Sequence, residues 1–142
     1  MGTSNIQTYH QSISNQNTVK LRELLKTLPS FCRDYFRGIE PTTTAKTRIG
    51  YGYDIRTFFR FLLAQNPMFL DAQMTDIRLQ DLEQLQPVDI EEYLEYLSYY
   101  VKDDGTEYTN GERGKRRQLA SLRSFYNYFF RDEQIKSNPA SL

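Results

Sequence analysis

The 142-residue sequence has few of the residues that build catalytic and metal sites, with one Cys, one His and no Trp. The single Cys32 cannot form a disulfide within the chain, which favours a reducing compartment. The scarcity of His and Cys also excludes a His/Cys metal cluster and argues against a Ser-His or Cys-His catalytic pair. No apolar run approaches the roughly 20 residues of a membrane span, and no signal-peptide core follows Met1. We therefore expect a cytoplasmic domain with no membrane partner, no metal or cofactor, and no catalytic machinery of its own.

Aromatic residues are abundant instead, with 11 Tyr and 9 Phe making up 14% of the chain. A chain of this length predicts one domain. Large rings compensate for a short chain because each one buries more area than an aliphatic side chain does. Hydrophobic residues at 39% are enough for a modest core around these rings.

The formal charge of zero conceals a segregation of charge along the chain. Residues 1–65 have a net charge of +5, residues 66–109 a net charge of −9, and residues 110–142 a net charge of +4. A folded domain can turn one sign of charge toward a partner, so this asymmetry is more informative than the total. The alternative is that solvated helices carry their charges in uneven blocks.

Spacing of apolar residues predicts helices over most of the chain. Residues 1–18 are polar and predict a disordered tail, which leaves residues 19–142 for the domain. Apolar positions then recur at steps of three and four, with breaks expected at Pro29, Pro41 and the Asn66-Pro67 step. Residues 102–114 contain three Gly and predict a flexible loop. No period of two persists, so the predicted fold class is all-α.

The last predicted helix, from about Glu112 to Asp132, has two opposite faces. At about 100° per residue, its apolar residues fall on one side, and they are Leu119, Leu122, Phe125, Tyr126 and Phe129. The basic residues fall opposite them, and they are Arg116, Arg117 and Arg123, with Lys115 beside them. Such a ridge repels itself, whereas DNA phosphates would neutralise it and arginine can read guanine. A solvated basic face, or pairing with the acidic segment, remains the alternative.

A second basic patch lies at the predicted start of the helix that precedes Asn66. Lys46, Thr47 and Arg48 follow Thr44, a candidate N-cap, and precede Tyr51. Two basic helix starts are what two helices docking on one DNA surface would need. Because Arg116 and Arg117 lie opposite the core stripe, their replacement by alanine is expected to weaken DNA binding and leave the fold intact.

Three segments resemble a known family. TRIGYGYDIRTFFRFLL (47–63) resembles the Thr-x3-Tyr-x2-Asp-(Leu/Ile)-x2-Phe-x3-Leu helix of the core-binding domain of tyrosine recombinases, the phage-integrase and Xer-type enzymes. KRRQLASLRSFYNYFFRDEQIKSNP (115–139) resembles the last helix of that domain and the Asn-Pro step that follows it. DIRLQDLEQLQPVDIEEYLEYL (76–97) resembles its short helix and acidic helix.

This resemblance implies a four- to five-helix SAM-like orthogonal bundle that clamps double-stranded DNA at a recombination half-site during DNA integration or recombination. It implies DNA contacts from two helix starts, namely Thr44, Lys46, Thr47, Arg48, Tyr51, Lys115, Arg116, Arg117 and Arg123. Lys46 and Lys115 are then expected to bind phosphates, and Arg116 and Arg117 to reach base edges. The further partners implied are the catalytic domain of the same parent chain and other recombinase protomers. The chain itself is then expected to be a non-catalytic fragment of a tyrosine recombinase.

The alternative hypothesis is a helical protein–protein interaction module. Exposed aromatic residues such as Tyr99, Tyr100 or Phe130 would anchor a partner helix in that case. The two hypotheses differ in salt dependence, because phosphate contacts weaken steeply with salt and apolar contacts barely respond.

Overall fold

The fold is mostly helical, which confirms the all-α prediction. The computed structural model describes the backbone of residues 2–141 and the side chains of residues 8–141. Within these residues the helices are α1 (Gly2–Lys26), α2 (Cys32–Ile39), α3 (Ala45–Gln65), α4 (Leu79–Glu83), α5 (Pro87–Tyr96) and α6 (Glu112–Arg131). Two short strands, β1 (Tyr99–Val101) and β2 (Glu107–Thr109), form a hairpin between α5 and α6. The described helices thus number six, and α2 and α4 are the shortest.

The breaks between helices lie where the sequence predicts them. Pro29 lies between α1 and α2, and Pro41 forms part of the 3-10 turn that precedes α3. Thr44 is the N-cap of α3, because its Oγ1 accepts a hydrogen bond of 3.1 Å from the backbone N–H of Thr47. Pro87 occupies the first turn of α5, where a missing N–H costs nothing.

The segment predicted as a disordered tail is helical in the structure. Gly2–Lys26 forms one continuous helix, and its first part, up to about residue 16, is exposed where its side chains are described. The second part packs against α3 through Leu21 and Leu24, and so provides a helical nucleus. Extending a formed helix avoids the cost of nucleation, and Gln, Asn, Ser and Thr oppose it by less than about 0.7 kcal/mol each. Low hydrophobicity therefore did not prevent helix formation here.

The segment predicted as a loop at 102–114 contains the turn and second strand of the hairpin. Tyr100 pairs with Tyr108 in antiparallel register, and Gly105 takes a φ of +84° in the connecting turn. The rings of Tyr96, Tyr100 and Tyr108 stack in sequence at centroid distances of 5.1 and 5.2 Å. This stack fixes the hairpin against the end of α5. Val101 is exposed on β1.

The core is built from aromatic rings where α3 crosses α6. Phe59 of α3 contacts Phe125 of α6 at a ring-centroid distance of 6.1 Å, and Phe58 contacts Tyr93 of α5 at 4.9 Å. The predicted apolar stripe of α6 faces this core. Cys32 is fully buried, and burial raises the pKa of its thiol, so it fills the core as a neutral side chain.

Two glycines of α3 differ in what an added methyl group would meet. A Cβ on Gly52 would lie 2.5 Å from Leu24 Cδ2 of α1, whereas one on Gly50 would meet nothing within 4 Å. Alanine stabilises an open helical position by about 1 kcal/mol relative to glycine, whereas overpacking costs about 1–3 kcal/mol. We therefore expect Gly50→Ala to be more stable than Gly52→Ala by about 1–3 kcal/mol in denaturant unfolding. Equal stabilities would contradict the close approach of α1.

Candidate nucleic-acid interface

The N-terminal halves of α3 and α6 point to the same side of the domain. Asp54 of α3 contacts Arg117 and Ser121 of α6, and further along both helices Phe59 contacts Phe125. The contacts therefore progress in the same direction on both helices. At 1.5 Å per residue, Ala45 begins about 13 Å before Asp54. Both predicted basic helix starts consequently lie in the N-terminal halves of two helices that run in the same direction.

The cations best placed for a ligand are at these two helix starts. Lys46 and Thr47 are exposed on the first turn of α3, and Arg116 is exposed on α6. Lys115 is half-buried beside Arg116. Within residues 8–141, no ion pair involves Lys46, Lys115 or Arg116. These side chains leave a basic surface without an internal counter-charge.

The acidic helix does not neutralise this surface. Glu91, Glu92 and Glu95 of α5 are exposed, and none of the ion pairs within residues 8–141 joins α5 to α6. The described residues therefore form no ion pair between the α6 ridge and α5. Such pairing with the acidic segment was the alternative left open by the sequence.

Arg48 has an internal role that differs from the expected DNA contact. Its side chain is buried, with 9% of the residue exposed. Its Nη1 donates to the backbone oxygens of Glu40 and Thr43 and to Thr43 Oγ1, at 3.2, 2.7 and 3.0 Å. Arg48 therefore holds the turn before α3 in place.

Arg117 is held by a buried carboxylate of the neighbouring helix. Its Nη1 lies 2.7 Å from both carboxylate oxygens of Asp54, and Ser121 Oγ donates to Asp54 Oδ2 at 2.6 Å. The Asp54 side chain is only 6% exposed, whereas that of Arg117 is 59% exposed. Replacing Arg117 would strand a buried carboxylate, so the expectation that its loss leaves the fold intact is not supported.

Arg123 and Tyr51 also contact the interior. Arg123 is half-buried, and its Nε donates to the backbone oxygen of Ala140 at 3.2 Å, which fixes the segment after α6. Tyr51 is half-buried and packs against the core cluster. Of the nine predicted contact residues, Thr44 caps α3 and four others have the internal roles described above. The remaining four are Lys46, Thr47, Lys115 and Arg116, and of these Thr47 also accepts a hydrogen bond of 3.0 Å from Thr44 Oγ1 through its hydroxyl.

The aromatic residues considered as protein-binding anchors do not form one surface group. Tyr99 is 56% exposed on β1, where its hydroxyl donates to Glu107 Oε1 at 2.8 Å. Tyr100 is buried in the stack of tyrosine rings, and Phe130 lies at the far end of α6.

Sequence reasoning missed Asp54 as part of this site. A signal was present, because Asp54 falls between Tyr51 and Phe58 on the apolar side of α3. A carboxylate on a buried face requires a donor, and Arg117 and Ser121 supply three hydrogen bonds. The negative charge of Asp54, after burial itself, contributes to raising the pKa of the neighbouring Tyr93.

Comparison with known proteins finds similarity to tyrosine recombinases. The chain is 33% identical over 113 residues to a tyrosine recombinase XerC of Caldanaerobacter subterraneus subsp. tengcongensis, covering 75% of the chain and 30% of that protein. It is 31% identical over 103 residues to tyrosine recombinase XerC of two Leptospira interrogans strains, covering 72% of the chain and 27% of those proteins. The chain thus spans less than a third of the length of these relatives. No protein-family model matches it, and no solved structure does.

None of the helices in the described part of the chain is long and apolar enough to cross a membrane.

Proposed function

Because the chain is related to the tyrosine recombinases over about three quarters of its length, we propose that it is a DNA-binding domain of such a recombinase. It holds duplex DNA at a recombination half-site during recombination or integration. The observation that carries this proposal is that the starts of α3 and α6 hold Lys46, Lys115 and Arg116, none of which forms an ion pair within residues 8–141. Phosphates are the partner chemistry that such a surface favours.

Each exposed residue has a defined part in this proposal. Lys46 and Lys115 contact phosphates as point charges, and the Thr47 hydroxyl contacts the backbone beside them. Arg116 reaches toward base edges, where its forked donors match guanine. Arg117 holds α6 against α3 and turns toward DNA those donors that Asp54 does not use, since a guanidinium has five. Arg48 and Arg123 act indirectly, by fixing the segments on which the contact residues lie.

Strand cleavage is assigned to another part of the parent protein. The chain corresponds to less than a third of relatives named as recombinases, so this segment is proposed to bind DNA while a catalytic domain of the same parent cleaves it. Other protomers on the same DNA are the further partners proposed. A duplex-DNA partner would place the protein in the cytoplasm of a bacterial cell.

The test is a double variant of the two helix starts, Lys46→Ala/Arg116→Ala. We expect it to bind a short duplex more than tenfold more weakly than the wild type, because it removes one cation from each helix start. The slope of log affinity against log salt should fall by about 1 for each phosphate that the variant no longer binds. Fluorescence anisotropy with a labelled duplex at about 50 and 200 mM salt measures both quantities.

The matched control is Arg131→Ala/Lys136→Ala, which removes the same two residue types from exposed positions. Arg131 lies about 22 Å from Arg116 along α6, so this variant should bind DNA as the wild type does. An equal loss in both variants would show general charge attraction rather than a defined face. Unchanged binding in a folded Lys46→Ala/Arg116→Ala protein would contradict the proposal, as would wild-type affinity that is independent of salt.

A further inference from the structure

A basic cleft that adjoins the start of α6 lies between α3, the hairpin and α6. It has a volume of about 180 Å3, and its charged lining residues are Arg56, Arg60, Lys102, Arg117 and Asp54. One water takes about 30 Å3 of the liquid, so the cleft has room for several waters or for one compact polyatomic anion. Residues distant in sequence form it, because α3, the hairpin and α6 each supply part of the wall.

Positive charge in this cleft exceeds the negative charge available to it. Four cationic residues and one carboxylate line it, and Asp54 is already bound by Arg117. Asp103 lines the adjoining cavity of about 280 Å3 with Arg60 and Lys102, which still leaves a net charge of +2. Like charges that crowd a partly desolvated site destabilise the folded protein unless an anion joins them.

The positive charges of the cleft are only partly compensated by other groups of the domain. Arg60 forms no hydrogen bond or ion pair within residues 8–141, and the Lys102 ammonium lies 4.5 Å from the centre of the Tyr108 ring. Arg56 is partly satisfied, because its Nη1 donates to Thr27 Oγ1 at 3.3 Å and its guanidinium lies 5.1 Å from the centre of the Tyr53 ring, while its Nε is buried without a hydrogen-bond partner among the described residues. Burial, and then the charge of Arg60, lower the pKa of Arg56. Arg60 and Lys102 are thus cations of the cleft that form no ion pair within residues 8–141.

The position of the cleft connects it to the proposed DNA-binding end. Lys46, Tyr53 and Arg60 recur at seven-residue steps, so they follow one face of α3 from its first turn to the cleft. Gly50 lies on the same face, where an added Cβ would meet nothing within 4 Å. Arg117 borders the cleft one residue after Arg116. A strand bound at the helix starts can thus continue along α3 toward the hairpin.

We propose that the basic cleft binds one phosphate group, and that this group is a backbone phosphate of the DNA held at the two helix starts. Arg60 and Lys102 are the residues that contact it, and the hairpin thereby extends the DNA footprint beyond α3 and α6. The identification of DNA as its source rests on the proposed function, whereas the phosphate site itself does not.

The variant Arg60→Gln/Lys102→Gln tests this proposal, with Arg131→Gln/Lys136→Gln as its control. Each double variant removes one Arg and one Lys charge. We expect the cleft variant to bind a short duplex about tenfold more weakly at low salt, with a salt slope reduced by about 1. The control should bind as the wild type does, and thermal unfolding should show both variants folded. In a second arm, pyrophosphate is titrated into labelled protein, and amide shifts at Lys102 and Asn110 are followed by NMR.

The two arms distinguish the sources of the phosphate. Weaker DNA binding by the cleft variant, together with pyrophosphate shifts that this variant loses, supports a backbone phosphate. Unchanged DNA binding with pyrophosphate shifts that the variant loses supports the phosphate site and overturns its assignment to DNA. Unchanged DNA binding and no pyrophosphate shifts in the wild type overturn the proposal altogether. If the wild-type protein binds no duplex, the proposed function fails, and the pyrophosphate arm still decides the cleft.

Discussion

Replacing Phe125 by alanine is expected to lower the free energy of unfolding by about 3–5 kcal/mol, the range for deleting a buried aromatic ring. Phe125 is fully buried, and its ring lies between those of Tyr35, Phe59 and Phe129 at centroid distances of 5.2, 6.1 and 5.1 Å. These neighbours belong to three helices, α2, α3 and α6. They cannot all move inward to fill the space, so a cavity remains. The free-energy cost of this cavity adds to the loss of the hydrophobic burial that the ring provides.

Phe130→Ala is the matched control, because it removes the same ring from the same helix at a position that is 45% exposed. Urea unfolding followed by circular dichroism measures both variants. We expect a loss of well under half that of Phe125→Ala for the control. Equal losses would mean that the ring cluster between α3 and α6 does not determine the stability of the domain.

Replacing Arg117 by alanine is expected to cost about 2–3 kcal/mol of unfolding free energy. The carboxylate of Asp54 would stay buried with Ser121 Oγ as its remaining side-chain donor within the described residues. A fully buried pair would cost more, and the exposure of the Arg117 side chain lowers the figure. Arg116→Ala, one position earlier and exposed, should change stability by less than about 0.5 kcal/mol.

A double-mutant cycle with Asp54→Asn separates the ion pair from other effects of the substitution. An uncharged amide is less costly to leave unpaired than a carboxylate, so Asp54→Asn/Arg117→Ala should be more stable than Arg117→Ala. Additive losses would show that Asp54 and Arg117 do not interact in solution. DNA affinity measured on Arg116→Ala and Arg117→Ala then assigns the binding effect to a residue whose stability effect is known.

Local patterns in the sequence are enough to predict most of the helical architecture. The apolar stripe of α6, the Thr44 cap and the breaks at Pro29 and Pro41 follow from periodicity and backbone chemistry within one segment. The hairpin could not be predicted in this way, because a three-residue strand is too short to show a regular alternation of apolar and polar residues. The Asp104-Gly105 step was its one local signal, since this dipeptide favours tight turns.

The candidate site was predicted less completely, because a helical wheel gives only the direction in which a residue points from the axis of its own helix. It does not say which neighbouring element lies beside that residue. Arg117 lies opposite the apolar stripe of α6 and still reaches Asp54, since its long side chain extends sideways toward α3. Arg48 likewise belongs to a basic run in sequence but turns inward to backbone oxygens. The basic cleft depends on three elements, so no single segment could reveal it.

The hydrogen bond between Asp54 and Arg117 joins residues 63 positions apart. During synthesis the first helix start therefore exists long before its counterpart, and the acidic segment separates the two. The surface proposed to bind a duplex needs both helix starts, so it forms only when α6 packs against α3. Any ligand that requires both helix starts then binds the native state and not the unfolded chain. Such a ligand raises the stability of the domain as its concentration exceeds its dissociation constant. Protein molecules at a target site would outlast unbound ones under proteolysis or heat.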